Sequence, residues 1–239
     1  MKKIVIINTK GGSGKSTLAT NLAGYYAWSG RSTSLVDYDE QGSSAHWVSR
    51  RDEAQLPAVQ LTRAYQQSGR VTRSWALRVP PGVERIVVDT PARPDLALLR
   101  DLSAGASALL VPVLPSDIDI HAASRCIGDL LLKVKVAAPH QRIGVVANRA
   151  NARANSYAAL QRFLETLQIP FVATLRDTQN YVHAAAGGCC LHELKGRDIR
   201  KDVGQWEALV NWLEARPDAG GMPASATLPR SGRAVAGRL

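Results

Sequence analysis

Cysteine is scarce in this chain of 239 residues. The three present, Cys126, Cys189 and Cys190, are odd in number and two are adjacent, so no disulfide framework can be drawn from them. The spaced pairs that an iron–sulfur or zinc centre needs are missing as well. A reduced, cytoplasmic setting is the expectation, with the three thiols serving as small apolar side chains. Long apolar runs are also lacking. MKKIVIIN at the start is too short for a signal-peptide core, and no stretch approaches the length that crosses a bilayer. Aromatic residues are only 5% of the total, so interleaved stacking platforms for single-stranded nucleic acid are absent. Acidic residues are in deficit, 20 against 30 Lys and Arg, for a net charge of +10. Such an excess fits either a polyanionic partner or a solvated arginine-rich surface. No internal repeat is evident.

What is there is an alternation of β-branched apolar runs with helical patterns. Strands are predicted at KIVIIN (3–8), STSLVDYD (32–39), ERIVVDT (84–90), SALLVPVLP (107–115), RIGVVANR (142–149) and FVATLRD (171–177). Helices are predicted from Ser16 to Ser29 with Gly30 beyond the end, after Gly42, over DLALLRDL (95–102), from Ile118 to Ala137 and from Tyr157 to Leu167. The last helix carries Ile199, Val203, Trp206, Val210 and Leu213 at steps of three and four, with Pro217 just past its end. The stretch from Arg51 to Gly82 gives no clear pattern. This alternation predicts an α/β fold: a single domain over residues 1–216, with a mostly parallel central sheet and helices on both faces. Residues 217–239, rich in Gly, Ala, Ser and Pro with three arginines, read as a flexible basic tail.

The chemistry concentrates in NTKGGSGKST (8–17), which follows a strand and opens a helix. The general phosphate-loop rule is G-x-x-x-x-G-K-[ST], and here the first glycine is replaced by Thr9 and followed by an extra cation, Lys10. Gly11, Gly12 and Gly14 let the backbone aim its N–H groups inward as an anion nest, with Ser13 between them. The helix N-terminus adds its dipole. Lys15 is placed for the β- and γ-phosphates, Ser16 for Mg²⁺ and Thr17 toward the α-phosphate. Asp37 and Asp39 lie two apart at a strand end, where side chains share a face. Asp89 closes the apolar run RIVVD, as a Mg²⁺-holding carboxylate would.

The run Lys10-Gly11-Gly12-Ser13-Gly14-Lys15-Ser16-Thr17 is the deviant Walker A signature, and through it the chain resembles the ParA/MinD family of ATPases. SLVDYDEQGSSAHW (34–47) looks like that family's first switch segment, and RIVVDTPAR (85–93) like its Walker B strand, with Ala92 where the family usually has a second proline. VPVLPSDIDI (111–120), VVANR (145–149) and LRDTQNYVHAAAGG (175–188) match more loosely, so the likeness spans about residues 2–213.

The resemblance implies ATP and Mg²⁺ as cofactors and a nucleotide-sandwich homodimer in which Lys10 reaches the partner's phosphates. It implies that Asp39 positions the attacking water. Asp37 would lie near the Mg²⁺ water shell or else cap the next helix. Asn148 would hydrogen-bond the adenine edge. It further implies slow ATP hydrolysis, stimulated by a cargo-associated protein, in a nucleoid-associated protein that binds duplex DNA without sequence preference and positions or segregates a plasmid, a chromosome locus or a protein assembly. Arg153, Arg176, Arg197, Arg200 and Lys201 are the candidate phosphate contacts, each open to the plainer reading of a solvated surface charge. With the phosphate loop starting at residue 10, no N-terminal helix-turn-helix is expected. The tail is a poor amphipathic helix, so no membrane attachment is expected. The alternatives are a membrane-gradient ATPase like MinD and a metabolic or metal-carrier NTPase of the same superfamily.

Overall fold

The computed structural model describes residues 1–66, 80–136, 142–150, 155–166, 168–196 and 198–218. Part of the 51–82 stretch, the end of the expected 118–137 helix, Leu167, Arg153, Arg197 and nearly all of the expected tail lie outside the described residues. Seven strands form one sheet: β1 (Lys2–Ile6), β2 (Thr33–Asp37), β3 (Gln60–Arg63), β4 (Arg85–Asp89), β5 (Ala108–Val113), β6 (Ile143–Ala147) and β7 (Phe171–Thr174). Their spatial order is β3-β2-β4-β1-β5-β6-β7, and every pairing is parallel. The helices are α1 (Lys15–Trp28), α2 (Ser43–Glu53), α3 (Leu96–Ser103), α4 (Asp117–Gly128), α5 (Asn155–Thr166), α6 (Asn180–Ala186) and α7 (Ile199–Glu214). Among the described residues, no helix is long and apolar enough to cross a membrane.

Strands buried on both faces must read as near-continuous apolar runs, and β1, β2, β4, β5 and β6 are buried along their whole length. Alternate residues serve opposite layers. Val5, Ile7, Val88 and Leu109 pack with Leu99, Leu102, Cys126, Ile127 and Leu164 from α3, α4 and α5. Ile4, Ile6, Val87 and Leu110 pack with Leu18, Leu22, Trp47, Trp206, Leu209 and Leu213 from α1, α2 and α7. The α7 face is thus the one its spacing predicts, with Leu209 added. β3 (QLTR) sits at the sheet edge, half exposed and polar, which is why the 51–82 stretch shows no apolar signal. The single long helix expected over 118–137 ends earlier. α4 stops at Gly128, a π-helical turn follows over Asp129–Lys133, and Lys135 at φ 59° breaks the helical path.

This topology positions the site. From β1 the chain moves outward to β2 and β3, returns to β4, then crosses β1 to β5, β6 and β7. The carboxyl end of β1 is therefore where the winding reverses, and open parallel sheets bind ligands at such a point. The loop after β1 occupies it, flanked by the strand ends carrying Asp37 and Asp89.

One buried ion pair ties α2 to the segment that follows α6. Arg51 is fully buried, and its guanidinium grips both oxygens of Glu193, at 2.7 and 2.8 Å, while also donating to the carbonyls of Gly188 (3.1 Å) and Pro57 (2.6 Å). Gly188, at φ 65°, brings backbone against backbone, since a Cβ there would lie 2.3 Å from the Arg51 nitrogen. Removing one partner of such a pair leaves an uncompensated buried charge. Glu193→Gln is expected to lower unfolding free energy by about 3 kcal/mol in urea titrations; a loss below about 0.5 kcal/mol would mean the guanidinium does not depend on that carboxylate.

Candidate nucleotide site

Residues 8–14 turn from β1 into α1, with Gly14 as the N-cap residue at φ 92°. A Cβ on Gly14 would lie 2.0 Å from Asn148 Nδ2, so both the hand of the turn and the space exclude any side chain. Asn148 braces the loop: Nδ2 donates to the Ser13 carbonyl at 3.0 Å, and Oδ1 accepts the Arg149 N–H at 3.0 Å. Ser13 is buried and donates to the Lys10 carbonyl at 3.2 Å. Lys15, the first residue of α1, is buried, and its Nζ donates to the same carbonyl at 3.2 Å. Burial lowers the pKa of the Lys15 ammonium, opposed by the charges of Asp89 and Asp39. A phosphate group beside it would oppose the burial effect further.

Gly11, Gly12, Gly14, Lys15, Ser16 and Thr17 form one wall of a cavity of about 850 Å³. The opposite wall comes from Tyr38 to Gln41 and from Pro91 to Asp95. A second hollow of about 440 Å³ shares Thr17 and Arg149 with it and is lined by Asn148, Asp177, Thr178 and Tyr181. One end thus offers an anion nest with a helix N-terminus. The other offers half-apolar walls of the size a planar base fills.

Three carboxylates meet the phosphate end in different states. Asp37 and Asp89 are register partners on β2 and β4, and both are fully buried. Both Asp37 oxygens are already engaged, by the N–H of Asp39 and of Ala45, each at 3.0 Å. Here Asp37 organises the turn into α2, which is the capping alternative left open by its sequence position. Asp39 is half buried, lines the cavity and accepts the Gln41 N–H at 3.1 Å. Asp89 accepts the Ser44 hydroxyl on Oδ2 at 2.8 Å, while its buried Oδ1 has no hydrogen-bond partner among the described residues. Burial pushes Asp89 up to about 6, assisted by the Asp37 charge and opposed by the Ser16 and Ser44 hydroxyls and Lys15. A buried carboxylate oxygen left open beside the Ser16 hydroxyl is a donor set that a hard, oxygen-seeking cation fits.

The sequence pattern of the CobQ/CobB/MinD/ParA nucleotide binding domain matches residues 4–188. The chain belongs to that family. Within the MinD/ParA group, it is 29% identical over 208 residues to the maintenance of carboxysome distribution protein A of Halothiobacillus neapolitanus, covering 84% of this chain and 93% of that protein. It is also 29% identical over 213 residues to the protein of the same name from Gloeobacter kilaueensis, covering 88% and 93%. Two solved structures share the fold. Apo McdA of Cyanthece has a TM-score of 0.65 at 19% identity, over 87% of this chain and 99% of that one. The septum site-determining protein MinD of Pyrococcus horikoshii, complexed with Mg-ADP, has a TM-score of 0.67 at 16% identity, over 90% and 97%.

The MinD/ParA signature lysine, Lys10, does not line the cavity, and its Nζ pairs with Asp119 Oδ1 at 2.7 Å. Sequence reading missed Asp119 and Ser44, as well as Arg93 and Arg149, which line the cavity. Asp119 had a readable signal, because Ser116-x-x-Asp119 has capping-box spacing at the start of a helix. Ser44, Arg93 and Arg149 had none. Of the candidate DNA contacts, Arg200 and Lys201 are exposed on the first turn of α7. Arg176 is half buried, and Asp202, itself fully buried, holds its guanidinium on both oxygens. Asn180 Nδ2 donates to the same carboxylate at 2.6 Å. The thiols of Cys126 and Cys190 are buried and pushed up to about 12 by desolvation, so both behave as apolar groups.

Two outcomes follow. Lys15→Ala should weaken nucleotide binding by about two orders of magnitude or more, because a buried cation on the cavity wall is lost; an unchanged affinity in calorimetric titration would remove Lys15 from the site. Asp89 must be ionised to hold a cation, and its metal-free carboxyl is pushed up to about 6, so the enhancement of nucleotide binding by Mg²⁺ should weaken progressively below that pH. Equal Mg²⁺ enhancement at pH 5 and pH 8 would count against that role.

Proposed function

We propose that the protein is an ATP-dependent dimerising ATPase that binds duplex DNA without sequence preference and uses ATP turnover to position a cargo. The observation that carries this reading is the division of labour between two lysines of one loop. Lys15 is buried along the cavity wall, while Lys10 does not line the cavity and pairs instead with Asp119. A loop with one cation on the cavity and a second held beside it on a carboxylate suits a shared site, in which each protomer supplies Lys10 to its partner's triphosphate. The second cation then offsets the charge that builds up as the γ-phosphoryl group leaves.

Within that scheme the first-turn N–H groups and Lys15 hold the β- and γ-phosphates, and Thr17 faces the α-phosphate. Ser16 and Asp89 would hold Mg²⁺, which supplies charge neutralisation between the β- and γ-oxygens. The MinD of P. horikoshii was solved with Mg-ADP, a precedent within the fold. Asp39 orients the attacking water from the cavity wall. Asp37 fixes the backbone of the turn that carries Asp39 and lies beside Asp89, near the ion's water shell. The smaller hollow takes the base, and Asn148, which lines it, has a second amide hydrogen and a second oxygen lone pair for the adenine edge.

Support for the remainder is chemical and comparative. The net charge of +10, with Arg200 and Lys201 exposed at the start of α7, favours a polyanion. Arg153 and Arg197 complete the candidate set, and Arg176 contributes only the part of its guanidinium that Asp202 leaves open. A dimer doubles the phosphate contacts, so ATP-driven dimerisation would switch DNA affinity steeply. The relatives named for carboxysome distribution favour a protein assembly as cargo, with a cargo-associated protein stimulating hydrolysis. The working location is then the nucleoid in the cytoplasm.

Duplex DNA binding should require ATP and should fall about tenfold or more between 50 and 200 mM salt. Equal retention on DNA with ADP, or binding to anionic liposomes instead, would defeat this reading. Asp39→Ala should keep ATP and DNA binding and lose about two orders of magnitude in turnover; wild-type turnover in that variant would remove Asp39 from water positioning.

A further inference from the structure

The backbone of Lys10 is fixed from three directions. Its N–H donates to Asn8 Oδ1 at 3.0 Å, and its carbonyl accepts from Ser13 Oγ and Lys15 Nζ, both at 3.2 Å. Its side chain ends on Asp119 Oδ1 at 2.7 Å. Asp119 is held equally firmly. Ser116 caps α4, accepting the Asp119 N–H on its Oγ at 3.2 Å and donating its hydroxyl to Asp119 Oδ2. The two partners differ in exposure: the Lys10 side chain is 35% exposed and that of Asp119 only 5%. The ammonium can swing out into water or onto another ligand, whereas the carboxylate cannot follow.

We propose that Asp119 is a positioning residue that holds the Lys10 ammonium in cis while the chain is a monomer and releases it to the partner's triphosphate on dimerisation. The pair thereby opposes dimerisation at low ATP. This rests on the sandwich dimer proposed above. A buried carboxylate that loses its counterion keeps its desolvation cost and loses its attraction. Departure of Lys10 is therefore unfavourable unless the ammonium gains a more strongly charged acceptor, and a triphosphate is one.

The geometry also connects the hold to nucleotide occupancy. Lys15 Nζ sits on the Lys10 carbonyl, so drawing Lys15 onto the phosphates removes one of the bonds that fix the Lys10 backbone.

The test uses the full chain with a non-hydrolysable ATP analogue. Dimer is followed by sedimentation, and Lys10 reactivity toward an acetylating reagent is followed by mass spectrometry of nucleotide-free protein. Asp119→Asn should raise Lys10 reactivity and lower the nucleotide concentration for half-maximal dimer by about three- to tenfold. Ser116→Ala, which loosens the carboxylate without removing it, should shift both readouts the same way by less, and it keeps the question open to measurement if Asp119→Asn folds poorly. In a Lys10→Ala background, Asp119→Asn should change nothing further. Unaltered Lys10 reactivity in both variants would overturn the cis hold. Raised reactivity with an unchanged or higher midpoint would overturn its role as a brake. An Asp119→Asn effect that persists without Lys10 would assign Asp119 to the α4 cap alone. A wild type that stays monomeric at saturating nucleotide while reactivity rises in Asp119→Asn would overturn the sandwich dimer and the hand-over with it, leaving only the cis contact.

Discussion

The phosphate loop closes because the backbone at Gly14 enters the left-handed region directly against the Asn148 amide, where a Cβ would come within 2.0 Å of Nδ2. That contact joins the loop after β1 to the end of β6, across the point where the winding of the sheet reverses. Asn148 holds the Ser13 carbonyl, Ser13 holds the Lys10 carbonyl, and Lys15 returns from the first turn of α1 to the same oxygen. The orientation of both lysines thus depends on a brace that lies 135 residues away in sequence. The motif supplies conformational freedom at its glycines, and the tertiary structure removes most of that freedom.

Like charges are managed by giving them unlike environments. Asp37 and Asp89 face each other across β2 and β4, buried and in register. Two open carboxylates there would repel strongly in a low dielectric. Asp37 is satisfied by two backbone amides and so belongs to the turn into α2, whereas Asp89 keeps one oxygen open toward the Ser16 side of the cavity. The unmet requirement is concentrated at the place where a cation and a phosphate would arrive together. Lys10 and Asp119 apply the same principle, since a cation is stored against a carboxylate instead of being left in the cavity.

The elements that were easy to read are those whose burial leaves one interpretation. KIVIIN, ERIVVDT and SALLVPVLP are apolar on both faces and became central strands within one or two residues of the expected ends. QLTR was unreadable because an edge strand half open to water needs no apolar pattern. The helix after Ser116 overran its true end because Leu130, Leu131 and Val136 continue an apolar rhythm that the backbone follows only by widening into a π turn. Apolar spacing reports which side chains are buried, and it does not report the hydrogen-bond pattern beneath them.

The sequence by itself determined the phosphate-loop motif, the alternation of the central strands with their helices and the identity of the carboxylates at the strand ends, because each of these is written in contiguous residues with a fixed period or spacing. Tertiary structure alone decided which oxygens remain open. It engaged both oxygens of Asp37, left Asp89 Oδ1 without a partner among the described residues, committed Arg176 to Asp202 and brought Lys10 onto Asp119. Each of these outcomes depends on a partner that comes near only when the sheet brings separate strand ends and helix termini together, and hydrogen bonds and ion pairs act over a few ångströms of space whatever the distance along the chain.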